Sequence, residues 1–375
     1  MVRSVLAVGN TASVMSTIAN YLPSLTVCEI PVDRPEVQQI ARRRVEGPRA
    51  PVSSISWFRF MRKAAASNWA VHSELQFAPS CLQARIGYGI HVHGTTDALL
   101  LYPQTRIGKV LKSTFREALY GANYVLCHRM LWQLVRRLRG DAKVFESPVD
   151  LNQFSPGGAS LRFSNNISLF SPSRIDQWKG HEIIWEALER MRNRAKVTLF
   201  QSDWGWEPFY SKLRKISPSN VRYVHVIPRA HIAEYYRGAH IVVGQMKLGH
   251  LGLSELEAAA CGVPVTVFNS DGNLPFLPKR SDPLELAELL DRLIEDEAFR
   301  AGYSSKCRDH VVRHHDAARL AEQFAETVER SDLHPPQTGA RLGTIANLEA
   351  GTGVELFGRI LGEKSKPFLG RLLSL

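Results

Sequence analysis

Residues 244–268 read GQMKLGHLGLSELEAAACGVPVTVF, with Gly244, Gly249 and Gly252 and two glutamates, Glu255 and Glu257, set ahead of a run of alanines and a β-branched segment. The spacing of Ser254 and Glu257 predicts a capping box, in which each side chain serves a backbone N–H at a helix start. Ala258, Ala259 and Ala260 then favour a short helix. Gly262 and Pro264 close it, because glycine accepts the left-handed cap conformation and proline cannot continue the hydrogen-bond ladder. VTVF at 265–268 follows as a buried strand. Gly249 and Gly252 keep the backbone narrow where it approaches the helix. Such a terminus offers unpaired N–H groups and the positive end of the helix dipole, which suits a phosphate. The same letters also serve a purely structural loop, with glycines for turns, alanines for close packing and Glu257 as a cap.

The stretch belongs to a chain of 375 residues, long enough for two domains with separate cores. Apolar and charged fractions of 44% and 22% are those of a globular protein and argue against wholesale disorder. Cys28, Cys81, Cys127, Cys261 and Cys307 are scattered and form no CxxC pair, which argues against a disulfide framework or a zinc site and for a reducing, cytoplasmic setting. MVRSVLAVGN at the start leads straight into a short strand, with no signal-peptide core. No apolar run approaches the roughly 18 residues of a membrane span, so membrane contact is expected only from the surface. The net charge of +11 calls for an anionic partner. Neither zinc-finger spacing nor an RNP-like aromatic box occurs, which sets nucleic acid aside and leaves an anionic lipid surface or a phosphorylated substrate.

Short β-branched or apolar runs alternate with longer helical patterns, the signature of parallel sheets built from βαβ units. In the first half the expected strands are 4–8, 25–30, 89–94, 123–127 and 143–147; in the second they begin at 167, 196, 221, 240 and 263. Between the halves, SPVDLNQFSPGGAS at 147–160 clusters proline, glycine and serine as a linker does. Two Rossmann-like halves joined there are expected to face each other across a cleft, with ligands at the carboxyl ends of the strands.

Candidate residues stand at those ends. Gly9 and Asn10 make a tight turn after the first strand, into a helix starting near Thr11; the pattern is not GxGxxG, so a nicotinamide cofactor is not expected. His93 ends GIHVHG, Arg174 follows ISLFSPS and Lys179 opens the next helix. Two fixed cations at a strand end and a helix start suit a diphosphate leaving group, whose growing charge must be neutralised without reorganisation. Taken singly, Lys179 also reads as a surface lysine and His93 as a core histidine.

SRIDQWKGHEIIWEAL at 173–188, GLSELEAAACGVPV at 252–265, HVHG, SPVDLNQFSP and VRYVHVIPRAHIAEYYRGAHIVV together resemble the GT-B glycosyltransferases of the family 4 type, over roughly residues 1–330. The resemblance implies two Rossmann-like parallel-sheet domains: 1–150 on the acceptor side, and 151–330 binding the nucleotide sugar and carrying the terminal helices. Residues 331–375 form an extension outside it. It implies a retaining, metal-independent hexosyltransferase with no cofactor, the nucleotide-sugar donor being a substrate and the acceptor a glycan, a lipid-linked or a small molecule. Polysaccharide biosynthesis in the cytoplasm, peripheral on the inner face of the membrane, is the setting it suggests. Position by position, Arg174 and Lys179 match the pair that holds the diphosphate, Glu257 the glutamate that commonly contacts the donor ribose, and Leu251, Gly252 and Leu253 the phosphate-cradling helix start. Ile227 falls where backbone meets the nucleobase, His93 matches a histidine near the donor sugar, and Gly9 the glycine turn facing donor and acceptor.

The chain departs from the pattern at Gly249, where the resemblance calls for a glutamate that touches the transferred sugar; His250 lies beside it. Glu255 is expected on a different side of the helix start and is not taken as its substitute. The departure motivates two alternatives: a catalytically weakened homologue that binds a nucleotide or a partner, and a nucleotide-sugar epimerase on the same fold. No Asp-x-Asp pair occurs, so Arg174, Lys179 and the helix dipole are expected where other glycosyltransferases use a metal. HVVRHH at 310–315 reads as a solvated face. SISWFRFMRKAAASNW at 54–69 interleaves aromatic and basic residues as an interfacial helix does, and as a helix packed on a sheet also does; 356–375 is a second membrane candidate.

Overall fold

The computed structural model describes residues 4–9, 13–29, 41, 43–46, 54–67, 69–94, 97, 101, 106–161, 163–164 and 166–336; in the helices at 54–66 and 106–121 the side chains are described from 59 and from 112 onward. Asn10, Thr11, the side chains of Trp57 and Phe58, and the segment 356–375 therefore lie outside the described residues.

The chain divides into two units, the first running to Pro148 and resuming at Ala317, the second spanning Val149–Asp316. In the first, β1 (Val5–Val8), β2 (Leu25–Glu29), β3 (Arg44–Glu46), β4 (Ala70–Glu74), β5 (Tyr88–Val92), β6 (Tyr124–Cys127) and β7 (Lys143–Val144) form one sheet in the order β3-β2-β1-β4-β5-β6-β7. Every pairing is parallel. Side chains alternate between its two faces, both of which are covered. Leu6 and Val8 join an apolar cluster with the helices Ser54–Ala66, Ala78–Ala84 and Arg106–Gly121, while Val5 and Ala7 join another with the helix Val14–Ala19.

β3 and β4 were not among the expected strands. β4 reads AVHSE and is buried throughout, but His72, Ser73 and Glu74 break the apolar run by which a buried strand is recognised. A second correction concerns the helix Ala317–Arg330, expected with residues 151–330. Leu320, Phe324 and Val328 recur every four residues along it, and that stripe packs with Val14, Ile18, Tyr124 and Phe145 of the first unit. Phe324 meets the His72 ring edge-on, with centroids 4.9 Å apart.

The second unit holds β8 (Ile167–Ser171), β9 (Val197–Ser202), β10 (Val221–Val224), β11 (Ile241–Val243) and β12 (Val265–Thr266), all parallel in the order β10-β9-β8-β11-β12 over one apolar core. The linker expected at 147–160 is ordered from Val149 onward. Phe154 is buried, Gln153 Nε2 donates to the Arg229 carbonyl at 3.0 Å, and Arg237 Nε donates to the Ala159 carbonyl at 2.7 Å. In each sheet the first strand lies between the second and the fourth, so the winding reverses beside β1 and beside β8, where α/β sheets open to ligands. No helix among the described residues is long and apolar enough to cross a membrane.

The first sheet carries a buried histidine line. Ring centroids are 6.0 Å apart for His72 and His91, 5.3 Å for His91 and His93, and 5.8 Å for His93 and His128. Burial lowers His72 from 6.5 to about 3, and His91 well below its ordinary value. The unfolded chain therefore takes up a proton at His72 below pH 6.5 that the native chain refuses until about pH 3, so its contribution to stability is full above 6.5 and is lost as pH falls through that window. Urea midpoints at pH 7.5 and pH 5 should drop less in His72→Phe than in the parent chain; an equal drop would remove His72 as the cause.

Candidate functional site

The winding of the second sheet reverses at β8, and the segment that leaves β8 meets the loop that leaves β11. Asp176, 1% exposed, organises the first of these. Its Oδ1 accepts the N–H groups of Trp178 at 2.7 Å and Lys179 at 3.1 Å, and its Oδ2 accepts Arg174 Nε at 2.6 Å. One carboxylate thus sets the turn and aims both cations. The Arg174 guanidinium also lies over Trp206, 4.1 Å from the ring centroid, and its side chain is 32% exposed. Trp206 is pinned in turn, since its N–H donates to the Ile175 carbonyl at 3.0 Å while Ile175 N–H donates to the Trp204 carbonyl at 2.9 Å. Between them stands Gly205, where a Cβ would lie 2.4 Å from the Ile175 oxygen.

Lys179 is not a surface lysine. Its Nζ donates to Gln245 Oε1 at 2.7 Å, and its carbonyl accepts the Met246 N–H at 2.8 Å. Burial lowers its pKa, and the negative charges of Glu255 and Asp176 oppose that shift. Gln245, fully buried, spans the loop: its N–H donates to Glu255 Oε1 at 3.0 Å and its Nε2 to the His250 carbonyl at 2.7 Å.

The helix is Leu253–Ala260, and Gly252 caps it in an extended conformation with no side-chain capping bond. The capping box expected of Ser254 and Glu257 therefore does not form, because both residues lie inside the helix. Glu257 is buried and pairs with Arg229, and Tyr236 Oη donates to its Oε2 at 3.5 Å; burial raises its pKa and Arg229 opposes the rise. Gly262 does close the helix, at φ +77°. Gly249 sits at φ +73°, and a Cβ there would come 3.0 Å from Ser270 Oγ, so the position that lacks the glutamate is built for glycine. Its carbonyl accepts Ser270 N and Oγ, both at 3.0 Å. Leu251, like Ile227, is buried in the core of this unit. Arg174, Lys179, Gly249, Leu251, Gly252 and Leu253 thus surround one reversal point, and Glu257 lies one turn further into the helix.

Gly9 and His93 belong to the first unit. Gly9 follows β1 at φ +100°, and a Cβ there would meet the Glu74 carboxyl group at 2.4 Å, so Glu74 at the end of β4 lies over the turn. His93 is held neutral by burial, its pKa lowered to about 4, and its N–H donates to Asp97 Oδ2 at 2.6 Å. Burial pushes Asp97 up to about 7.

Sequence reasoning missed Asp176, Trp206, Gln245, Glu74 and Asp97, and it set Glu255 aside. Two of these left a trace: Asp176 stands two residues before Trp178, the spacing of an Asx turn, and Gly244 and Gly252 flank the volume that Glu255 fills. Glu255 is 1% exposed and turns toward Gln245, not away from the site.

Residues 159–310, which lie within the second unit, match the model of the family described as glycosyl transferases group 1. A D-inositol 3-phosphate glycosyltransferase of Xylanimonas cellulosilytica is 26% identical over 211 residues, 48% of this chain and 50% of that one. Another, of Streptosporangium roseum, is 27% identical over 228 residues, 52% of this chain and 51% of that one. The chain thus spans about half the length of these curated relatives. Among solved structures, Anabaena HepE in complex with UDP and glucose superposes with a TM-score of 0.67 at 17% identity, over 88% of this chain and 100% of that one. The fold is α/β of GT-B architecture, two Rossmann-like domains with parallel sheets.

A Cβ on Gly244 would stand 2.4 Å from Glu255 Cγ, and one on Gly252 2.5 Å from Glu255 Oε2. Gly244→Ala should cost about 1–3 kcal/mol by overpacking. Urea unfolding in a Glu255→Ala background should recover most of that loss, and an additive double mutant would show that the two positions do not compete for space.

Proposed function

We propose that the protein is a glycosyltransferase that moves a sugar from a nucleotide-sugar donor to an acceptor hydroxyl. The observation that carries the proposal is the pair Arg174 and Lys179, aimed by the single buried carboxylate of Asp176 at the reversal point of the second sheet and beside the start of the helix Leu253–Ala260. The family match over 159–310 and the UDP bound by HepE support it. In this reading the donor diphosphate lies against Arg174, Lys179 and the amides of Leu251, Gly252 and Leu253. Ile227 backbone meets the base, and Glu257, tied to Arg229, lies toward the ribose. His93 and Gly9 serve the sugar and acceptor side.

The chemistry follows from charge. The bond from the anomeric carbon to the diphosphate breaks, and the departing oxygens gain negative charge that fixed cations stabilise more in the transition state than in the ground state. Arg174 offers a planar fork of donors and Lys179 a compact charge, filling the role a metal ion has elsewhere. The acceptor oxygen bonds to the anomeric carbon on the face the leaving group vacates, its proton passes to a departing phosphate oxygen, and the configuration is retained. No cofactor is needed. Gly249 leaves the transferred sugar to backbone at 249–251 and to His250, whose Nδ1 lies 3.1 Å from the Leu248 carbonyl. The acceptor is a glycan, a lipid-linked or a small hydroxyl compound, met in the cytoplasm.

Arg174→Ala and Lys179→Ala should each lower turnover about a hundredfold, the loss of roughly 3 kcal/mol typical of one electrostatic contact in the transition state. Steady-state transfer and donor hydrolysis with a panel of nucleotide sugars, beside thermal melts, decide it. Near-normal turnover in either variant sinks that residue's role; nucleotide binding by the parent chain without turnover favours the weakened homologue, and isomerisation of the donor without acceptor favours the epimerase.

We also propose that the helix Ser54–Ala66 docks on an anionic membrane. Its Arg59, Arg62 and Lys63 are exposed while Met61 is buried, a basic face turned outward. Flotation with anionic liposomes should be lost when the three become Glu, and unchanged binding would end the idea.

A further inference from the structure

The donor reading gives the buried Glu255 no task. Glu255 is a carboxylate with 1% exposure, and both glycines beside it are shaped to its side chain: a Cβ on Gly244 would strike its Cγ, and one on Gly252 its Oε2. A charge buried at such expense needs a counter-charge or a dense set of donors. Oε1 accepts the Gln245 N–H at 3.0 Å, and the same glutamine accepts Lys179 Nζ on its own Oε1 at 2.7 Å. Gln245 is fully buried, and its side-chain nitrogen donates to the His250 carbonyl at 2.7 Å, which orients the amide with its oxygen toward Lys179.

We infer that Glu255 is a positioning residue whose carboxylate, acting through Gln245, is the buried counter-charge that holds the Lys179 ammonium at the donor site. The inference rests on the donor reading for what Lys179 does there, and on the hydrogen bonds from Glu255 through Gln245 to Lys179, together with the burial of the ammonium, for what Glu255 does to Lys179. The other charges around Lys179 do not fill the role. Asp176 acts in the same sense as Glu255 but more weakly, and it already accepts two backbone N–H groups and Arg174 Nε. Arg174 acts in the opposite sense. His181, at the start of the helix His181–Arg190, is kept neutral by burial, with its pKa lowered to about 4, and Glu182 is taken by Lys247. With burial driving Lys179 toward its neutral form, Glu255 is the larger of the two charges that oppose it.

This makes the glycines at 244 and 252 part of the site. They admit a carboxylate that never touches the donor, so that a cation can. It also gives the site a negative group that the glycine at 249 could not supply, because the left-handed backbone there favours glycine.

The test uses the full chain, with Glu255→Gln, Glu255→Asp and the parent protein compared. Acylation of Lys179 by an amine-directed reagent, followed across pH by peptide mass spectrometry, reads the uncharged amine directly. Glu255→Gln should move the half-labelling point down by about one pH unit, a tenfold rise in the uncharged fraction at a given pH, and Glu255→Asp should restore most of it. Calorimetry with UDP should show Glu255→Gln losing affinity about tenfold more at pH 9 than at pH 6.5. Equal labelling profiles in all three proteins, with melts unchanged or lowered, would make Glu255 a packing residue and overturn the inference. If the parent chain does not bind UDP at all, the donor reading falls, while the labelling profiles still decide what Glu255 does to Lys179.

Discussion

Asp176 is the hinge pin of the second unit. A carboxylate with almost no exposure is stable only when its lone pairs are filled, and here the donors are two backbone N–H groups and the Arg174 guanidinium. Meeting that demand curls the chain out of β8, ahead of the helix that starts at His181, and presents Arg174 and Lys179 together. Lys179 then reaches Gln245, Gln245 reaches Glu255, and the loop after β11 takes its course from those bonds. Satisfaction of buried polar groups, more than apolar packing, decides the shape of this edge of the sheet.

The same constraint explains what was legible in the sequence. The alternation of apolar runs with helical patterns announced two parallel sheets, because strands covered on both faces must be apolar throughout. Strand ends were legible too, and with them the position of Arg174 and Lys179 just beyond β8, since a parallel sheet opens at the carboxyl ends of its strands. β4 was lost because it buries His72, Ser73 and Glu74, residues that no apolar pattern flags. The direction of Glu255 was also lost. A helix wheel places it away from Glu257, but the missing Cβ atoms at Gly244 and Gly252 draw its side chain back over the loop. Ser254 and Glu257 matched a capping box letter for letter, yet the helix began at Leu253 with Gly252 as its cap, so two extra residues of helix moved both side chains off the terminus.

Position eight before Glu257 shows how one backbone angle outweighs a motif. At φ +73° Gly249 turns its carbonyl onto Ser270, which binds it with both N–H and hydroxyl. Glutamate there would carry left-handed strain and crowd Ser270. The loss of the carboxylate is thus built into the loop, and substitution alone would not restore it.

The return of Ala317–Arg330 to the first sheet changes what the chain is as a sequence of events. The second unit is an insertion: a contiguous stretch, Val149–Asp316, placed within a domain whose last helix is made after it. On the ribosome the inserted unit has its whole core in hand before the first has its own, because the apolar cluster of Val14, Ile18 and Phe145 waits for Leu320 and Phe324. The amino-terminal half must therefore remain incompletely packed while some 170 further residues are added and folded, a count that follows from the unit's limits. The order of synthesis and the order of completion run in opposite directions, so a truncation before the last helix strips the earlier unit while sparing the later one.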